Sequence, residues 1–185
     1  MRHNHIGMRM NTIGLYVVLL VITAFSCEDN LQEPVQVEFE FRLLNEQGQP
    51  STTFKEGENF VFSFLIINKS SERMFLDQRS LLTREFLRVY KINNSEGVKL
   101  IDLGTPYRDK CTMQAGFLIE SNDTLKFEIP WIPDFDHYFI CELNTDNTPL
   151  SKGRYKTGFT SIFDFSFDSQ SLQSEQSFNI NFQIQ

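Results

Sequence analysis

The stretch "SFNINFQIQ", Ser177 to Gln185, sets the fold class. Phe178, Ile180, Phe182 and Ile184 alternate with Asn179, Asn181 and Gln183. A period of two places the apolar side chains on one side of an extended chain and the amides on the other. This predicts a β-strand with one face buried. The same alternation runs through "VQVEFEFRLL", Val35 to Leu44, where Val35, Val37, Phe39, Phe41 and Leu43 oppose Gln36, Glu38, Glu40 and Arg42. "FVFSFLIIN", Phe60 to Asn68, is apolar on both faces and predicts a central strand.

Turn signals separate further strands. "NEQGQP" follows the first strand and "NKSSE" the second. Arg73 to Leu76 is a short strand. Ser80 to Asn93 mixes two periods and reads as an irregular piece followed by a strand from Glu85 to Ile92. "NNSEG" before "VKLIDL" reads as a hairpin. Gly104 to Lys110 reads as a loop. Met113 to Ile119 and Leu125 to Ile129 are strands joined by the turn Glu120-Ser121-Asn122-Asp123. "PWIP", Pro130 to Pro133, interrupts, and His137 to Leu143 resumes as a strand. "NTDNTP" is a loop, "GRYKTGF" a strand, and Ser161 to Ser177 a polar, Phe-dotted connection. About eight or nine short strands spaced at roughly 10 residues, with no long amphipathic helix, predict an all-β antiparallel two-sheet sandwich of immunoglobulin-like type. The 19 Phe residues among 185 suit such a core.

Near the other end, Ile13 to Phe25 is uncharged and rich in Leu, Val and Ile. It falls short of the roughly 20 apolar residues a spanning helix needs, and Arg2 and Arg9 precede it without an acid. This is the pattern of a secretory leader over residues 1–26, with Met8 or Met10 as alternative starts. Ala24-Phe25-Ser26-Cys27 resembles a bacterial lipobox, and Glu28-Asp29 after it resemble the surface-export signal of Bacteroidetes-type lipoproteins. The resemblance implies cleavage before Cys27, acylation of Cys27, and anchorage in the outer membrane, facing the periplasm or the cell surface. Several acyl chains on one cysteine hold a protein stably, whereas a single chain does so only marginally. Residues 27–34 would then be a lipidated tether and residues 35–185 a single domain.

The chain carries 17 Lys and Arg against 24 Asp and Glu. Removing Arg2 and Arg9 with the leader leaves 15 basic residues, so the mature protein is more acidic still. Such a surface argues against a nucleic-acid partner and against electrostatic attraction to anionic lipid. Cys111 and Cys141 form an even pair outside the cytoplasm, where a disulfide is expected.

Little in the sequence points to catalysis. His137 is the sole histidine beyond the leader, and no Gly-x-Ser-x-Gly elbow occurs. Asp134, Asp136 and His137 lack the spacing of a calcium loop and read as a solvated turn. The expectation is therefore a protein without enzymatic activity, metal or cofactor. Trp131, held between two prolines, together with Tyr107 and His137, is the candidate ligand-binding set for a glycan or protein. Lys152, Arg154 and Lys156 share a face and read as the guarded side of an edge strand. Asp123-Thr124-Leu125 resembles the Bacteroidetes-type O-glycosylation motif, which would place a glycan on Thr124.

"GENFVFSFLIINKSSE" with Asn68-Lys69-Ser70, and later Leu150-Ser151-Lys152-Gly153-Arg154-Tyr155, is similar to the bacterial intracellular proteinase inhibitor family. That resemblance implies an immunoglobulin-like domain. It also implies an alternative function, protease inhibition through a projecting loop such as Gly104 to Lys110.

Overall fold

Alternating Phe and polar residues leave an extended chain with one greasy face, which only a second such face can cover. The computed structural model describes residues 37–81, 83–93, 99–111, 116–134, 141–167 and 170–185. These lie within one compact unit, Pro34–Gln185. The strands, in chain order, are β1 (Val37–Leu44), β2 (Thr53–Phe54), β3 (Val61–Asn68), β4 (Met74–Asp77), β5 (Val89–Asn93) and β6 (Lys99–Gly104). They continue with β7 (Tyr107–Cys111), β8 (Gly116–Ile119), β9 (Thr124–Pro130), β10 (Cys141–Leu143), β11 (Gly153–Ser166) and β12 (Ser171–Ile184).

One sheet has the order β1-β3-β9, antiparallel throughout. The other runs β2-β12-β11-β4-β8, and β5 with β6 extends it from the start of β11. Among the described residues β2 alone pairs in parallel, on the end of β12. β7 and β10 form a separate two-stranded ribbon. The fold is thus an immunoglobulin-like β-sandwich, as the strand spacing predicts, with twelve strands among the described residues where eight or nine are expected, because short pieces such as β2, β7 and β10 lack a clear alternation.

The two sheets meet through phenylalanine. β3 is central in its sheet, and Phe62, Phe64 and Ile66 are fully buried on its inner face. The Phe64 ring lies 5.4 Å from Phe159, 5.9 Å from Phe163 and 5.4 Å from Phe178 across the interface. It also meets Phe39, Phe41 and Phe86. Burying one such side chain contributes roughly 1.5–3 kcal/mol, and edge-to-face pairs add about 0.5–1.5 kcal/mol.

The segment from Ser161 to Ser177 is not a connection. β11 and β12 form a hairpin with unbroken register from Gly153↔Ile184 to Ser166↔Ser171. Ser161, Phe163, Phe165 and Phe167 are buried and alternate with exposed Ile162, Asp164 and Ser166. Serines and glutamines at inward or half-buried positions hide this period-two pattern from a hydrophobicity reading. β11 also crowds β12 closely. Gly158 has φ +158°, and a Cβ built there would lie 2.1 Å from the carbonyl oxygen of Phe178.

On its other edge β11 pairs with β5 at Tyr155–Thr157 and with β4 at Phe165 and Ser166. A 3-10 turn, Gln78–Leu81, fills the gap between them. Ser161 donates its hydroxyl to the Ser80 carbonyl, and the Asp164 amide donates to Ser80 Oγ at 3.1 Å. β11 is therefore interior over most of its length. The reading of Lys152, Arg154 and Lys156 as an edge strand is corrected for Lys156, which pairs with Asn181 on one side and Tyr90 on the other. Arg154 pairs with Gln183, and Lys152 precedes the strand.

At the end of the sandwich where β1 begins, Asn68 ties the sheets together. Its side chain is fully buried. Nδ2 donates to the carbonyls of Glu72 at 2.7 Å, Glu120 at 3.0 Å and Ile119 at 3.2 Å. Oδ1 accepts from the Ser70 amide and hydroxyl. The Asn-x-Ser element is thus a structural knot.

Candidate functional site

The opposite end gathers most of the residues the sequence singles out. β9 ends at Pro130, on the edge of its sheet, where proline is tolerated. The chain then turns Trp131 inward, leaving it 3% exposed. Its ring stacks on Phe60 at 6.1 Å, and Nε1 donates to the Thr148 carbonyl at 2.9 Å. Asn147 Nδ2 donates to the Trp131 and Thr105 carbonyls, and Asn144 Nδ2 donates to Thr105 as well. The 144–150 loop is pinned over the core by these bonds.

Tyr107 is buried too, with its hydroxyl donating to the Phe86 carbonyl at 2.7 Å. Trp131 and Tyr107 are therefore brought to the same region but as plugs, and neither ring stands on the surface. The physical reason is size: the wide mouth between two sheets needs large rings, and the polar tips find backbone carbonyls there. His137 and Asp136 lie outside the described residues. Gly104–Lys110 is not a projecting loop. It ends β6 and enters β7, with Thr105, Pro106 and Tyr107 buried.

What the sequence reading misses is a concavity beside this plug. A cavity of about 520 Å³ is lined by Glu46, Thr53, Phe54, Lys55, Glu56 and Glu58, among others. Its carboxylates clamp turns: Glu58 accepts from the Lys55 amide at 2.8 Å and the Glu46 amide at 3.4 Å. Glu56 accepts from the Lys152 amide at 3.4 Å. These acids sit far apart in sequence from Trp131, and no local motif marks their convergence. The arrangement presents an acidic bowl with a buried phenylalanine beneath it. It suits cationic or hydroxyl-rich groups. Elsewhere, Arg108 forms ion pairs with Glu142 and Asp146.

Among the described residues, no group of three or more His, Cys, Asp or Glu is placed to hold a metal ion, and no helix is long and apolar enough to cross a membrane. Cys27 and residues 1–26, for which a leader is expected, lie outside the described residues. Cys111 and Cys141 face each other in the register of β7 and β10. Thr124 is exposed at the first position of β9.

The class this architecture defines is the immunoglobulin-like β-sandwich. No protein family and no curated protein matches the chain. Among solved structures, the chain is similar to the ASH/PapD-like domain 7 of human CEP192, at 16% identity and a TM-score of 0.43, covering 80% of this chain and 84% of that one. It is also similar to the structural-genomics target SoR45, at 14% identity and a TM-score of 0.29, covering 79% and 85%. Pseudomonas fluorescens alkylpurine DNA glycosylase AlkC, solved on DNA with an abasic-site analog, aligns at 8% identity and a TM-score of 0.32, covering 80% of this chain and 30% of that one.

Proposed function

We propose that the chain is an outer-membrane or cell-surface lipoprotein whose sandwich is a non-enzymatic binding module. Cys27 is acylated after the leader is removed, and residues 28–36 connect the anchor to β1. A tether of this length reaches about 30 Å at most. The observation that carries the reading is the uncharged run Ile13 to Phe25 ending in Ala24-Phe25-Ser26-Cys27, and the direction of β1 is compatible with it. β1 starts at the Asn68 end, so the tether joins there and the acidic bowl lies at the far end of the sandwich. A glycan or protein ligand would meet the Glu46, Glu56 and Glu58 rim. The exposure of Thr124 supports its glycosylation.

A disulfide between Cys111 and Cys141 completes the extracellular reading. Directly opposed residues of an antiparallel pair have Cα atoms about 4.5–5.5 Å apart, inside the range a disulfide spans. Closing a loop of about 30 residues would contribute roughly 3–4 kcal/mol through the unfolded state.

The intact mass of the protein extracted from membranes tests the anchor. A chain beginning at an acylated Cys27 is the expected result, with Cys27→Ser abolishing membrane retention. An unmodified or uncleaved chain refutes the reading. Non-reducing peptide mapping should recover Cys111 and Cys141 in one linked species.

A further inference from the structure

The outer edge of β12 is largely unpaired among the described residues. Among the described residues β2 covers only Gln183 and Ile184, leaving Ser171–Phe182 without a partner strand on the side away from β11. The Gln183 and Gln185 amides donate outward, to Thr52 and Phe54. With register to β11 unbroken, the main-chain groups of Ser171, Gln173, Glu175, Ser177, Asn179 and Asn181 point the same way.

Edges of this length are normally guarded by charge, proline, bulges or brevity. The other edges here are. β8 has four residues, β5–β6 carries a register shift, β1 carries Glu38, Glu40 and Arg42, and β9 carries Lys126 and Glu128. β12 has no proline, no lysine, no arginine and no bulge over 14 residues, and its one charge is Glu175. Beneath the edge, Leu172, Phe178 and Ile180 are only half-buried. A cavity of about 360 Å³ opens beside Ile180, against Phe41, Leu43 and Pro50.

We propose that this edge pairs with the same edge of a second copy, forming an antiparallel β12–β12 dimer about a two-fold axis at Gln176. Charge selects the place where two copies can approach. The chain's net charge of −7 makes two copies repel over most of their surface, and this near-neutral strip is where they approach without opposing acids. The strand is also complementary to itself. With the axis at Gln176, Leu172 faces Ile180, Gln173 faces Asn179 and Glu175 faces Ser177, so no acid directly opposes an acid. In this register each outward-pointing residue meets another outward-pointing residue, and every bare amide and carbonyl from Ser171 to Asn181 gains a partner.

The test uses the full chain extracted in mild detergent. Sedimentation equilibrium should give a dimer. Gln173→Lys with Asn179→Lys places lysine opposite lysine twice and should weaken the dimer at least about tenfold, since like charges directly opposed destabilise a pair. Gln173→Lys with Asn179→Glu sets opposite charges face to face and should retain it. Both sites are exposed, and unchanged melting of each variant confirms folding. Gln176→Cys should form a covalent dimer on oxidation, above the background of the parent chain, because self-opposed residues meet only at the axis. Gln173→Cys should not. A monomer at all concentrations, a dimer indifferent to the paired lysines, or the absence of the Gln176→Cys band overturns the proposal. Capture of an unrelated strand in place of a second copy overturns it as well.

Discussion

Replacing Asn68 with Leu, which keeps the branching but is bulkier and has no polar atom, should cost about 3–5 kcal/mol. Asn68 is fully buried and its side chain joins five hydrogen bonds, to Glu72, Ile119, Glu120 and twice to Ser70. A neutral hydrogen bond is worth about 1 kcal/mol net, and a buried group left unsatisfied costs about 1–3 kcal/mol. The stranded groups here include the Ile119 carbonyl, which is held inside the β4–β8 end, so water does not freely replace the amide. The loss compares with a total stability of about 5–15 kcal/mol for an ordinary domain. Urea unfolding followed by far-ultraviolet dichroism would read it as a lower midpoint at unchanged slope. The melting temperature should fall by roughly 10 °C, at about 2–4 °C per kcal/mol for a domain of this size. Asn68→Asp adds a pH signature. Its carboxylate would face carbonyl oxygens, so folding raises its pKa above the unfolded value of about 3.9. The variant should therefore be most stable below that value and lose stability, relative to wild type, as pH rises through the raised folded pKa. A Leu variant costing less than about 1 kcal/mol, or an Asp variant with flat pH dependence, would refute the knot.

Trp131, the single tryptophan, should emit at short wavelength and resist acrylamide in the native state, shifting red on unfolding; emission like that of an exposed indole would contradict its burial. Gly158→Ala should destabilise by at least about 2 kcal/mol in a denaturant titration, because the added methyl meets the Phe178 carbonyl and the φ of +158° strains it. Phe64→Ala should cost about 3–5 kcal/mol by the same assay, since six rings lose contact with it. Tyr90, pushed up to about 12 by burial first and then by its hydrogen bond to Glu85, should ionise late in a titration at 295 nm. Its unfolded form ionises near 10, so the stability it contributes should be present below that pH and disappear between 10 and 12, and Glu85→Gln should bring the value down.

Strand identity was legible wherever apolar side chains supplied the alternation. β1, β3 and the end of β12 follow directly from Phe, Val, Ile and Leu at every second position. It was illegible where serine and glutamine fill the same positions, as at Ser161, Ser174 and Gln176, so the β11–β12 hairpin read as a connection. The aromatic anchors were misplaced for a related reason. A lone tryptophan between prolines has the same local sequence whether its ring points out or in, and only the distant Phe60, Asn147 and Thr148 decide that it points in.

By itself the sequence determined the layer architecture, because side-chain periodicity dictates which face of each strand must escape water. The expectation of a leader ahead of Cys27 likewise rests on contiguous residues and needs no partner. The tertiary structure decided what is exposed. The burial of Trp131 and Tyr107 depends on residues separated by tens of positions, and so does the lack, among the described residues, of a partner strand along the outer side of β12; the convergence of Glu46 with Glu56 and Glu58 closes over only 12 positions, through hydrogen bonds to turn amides.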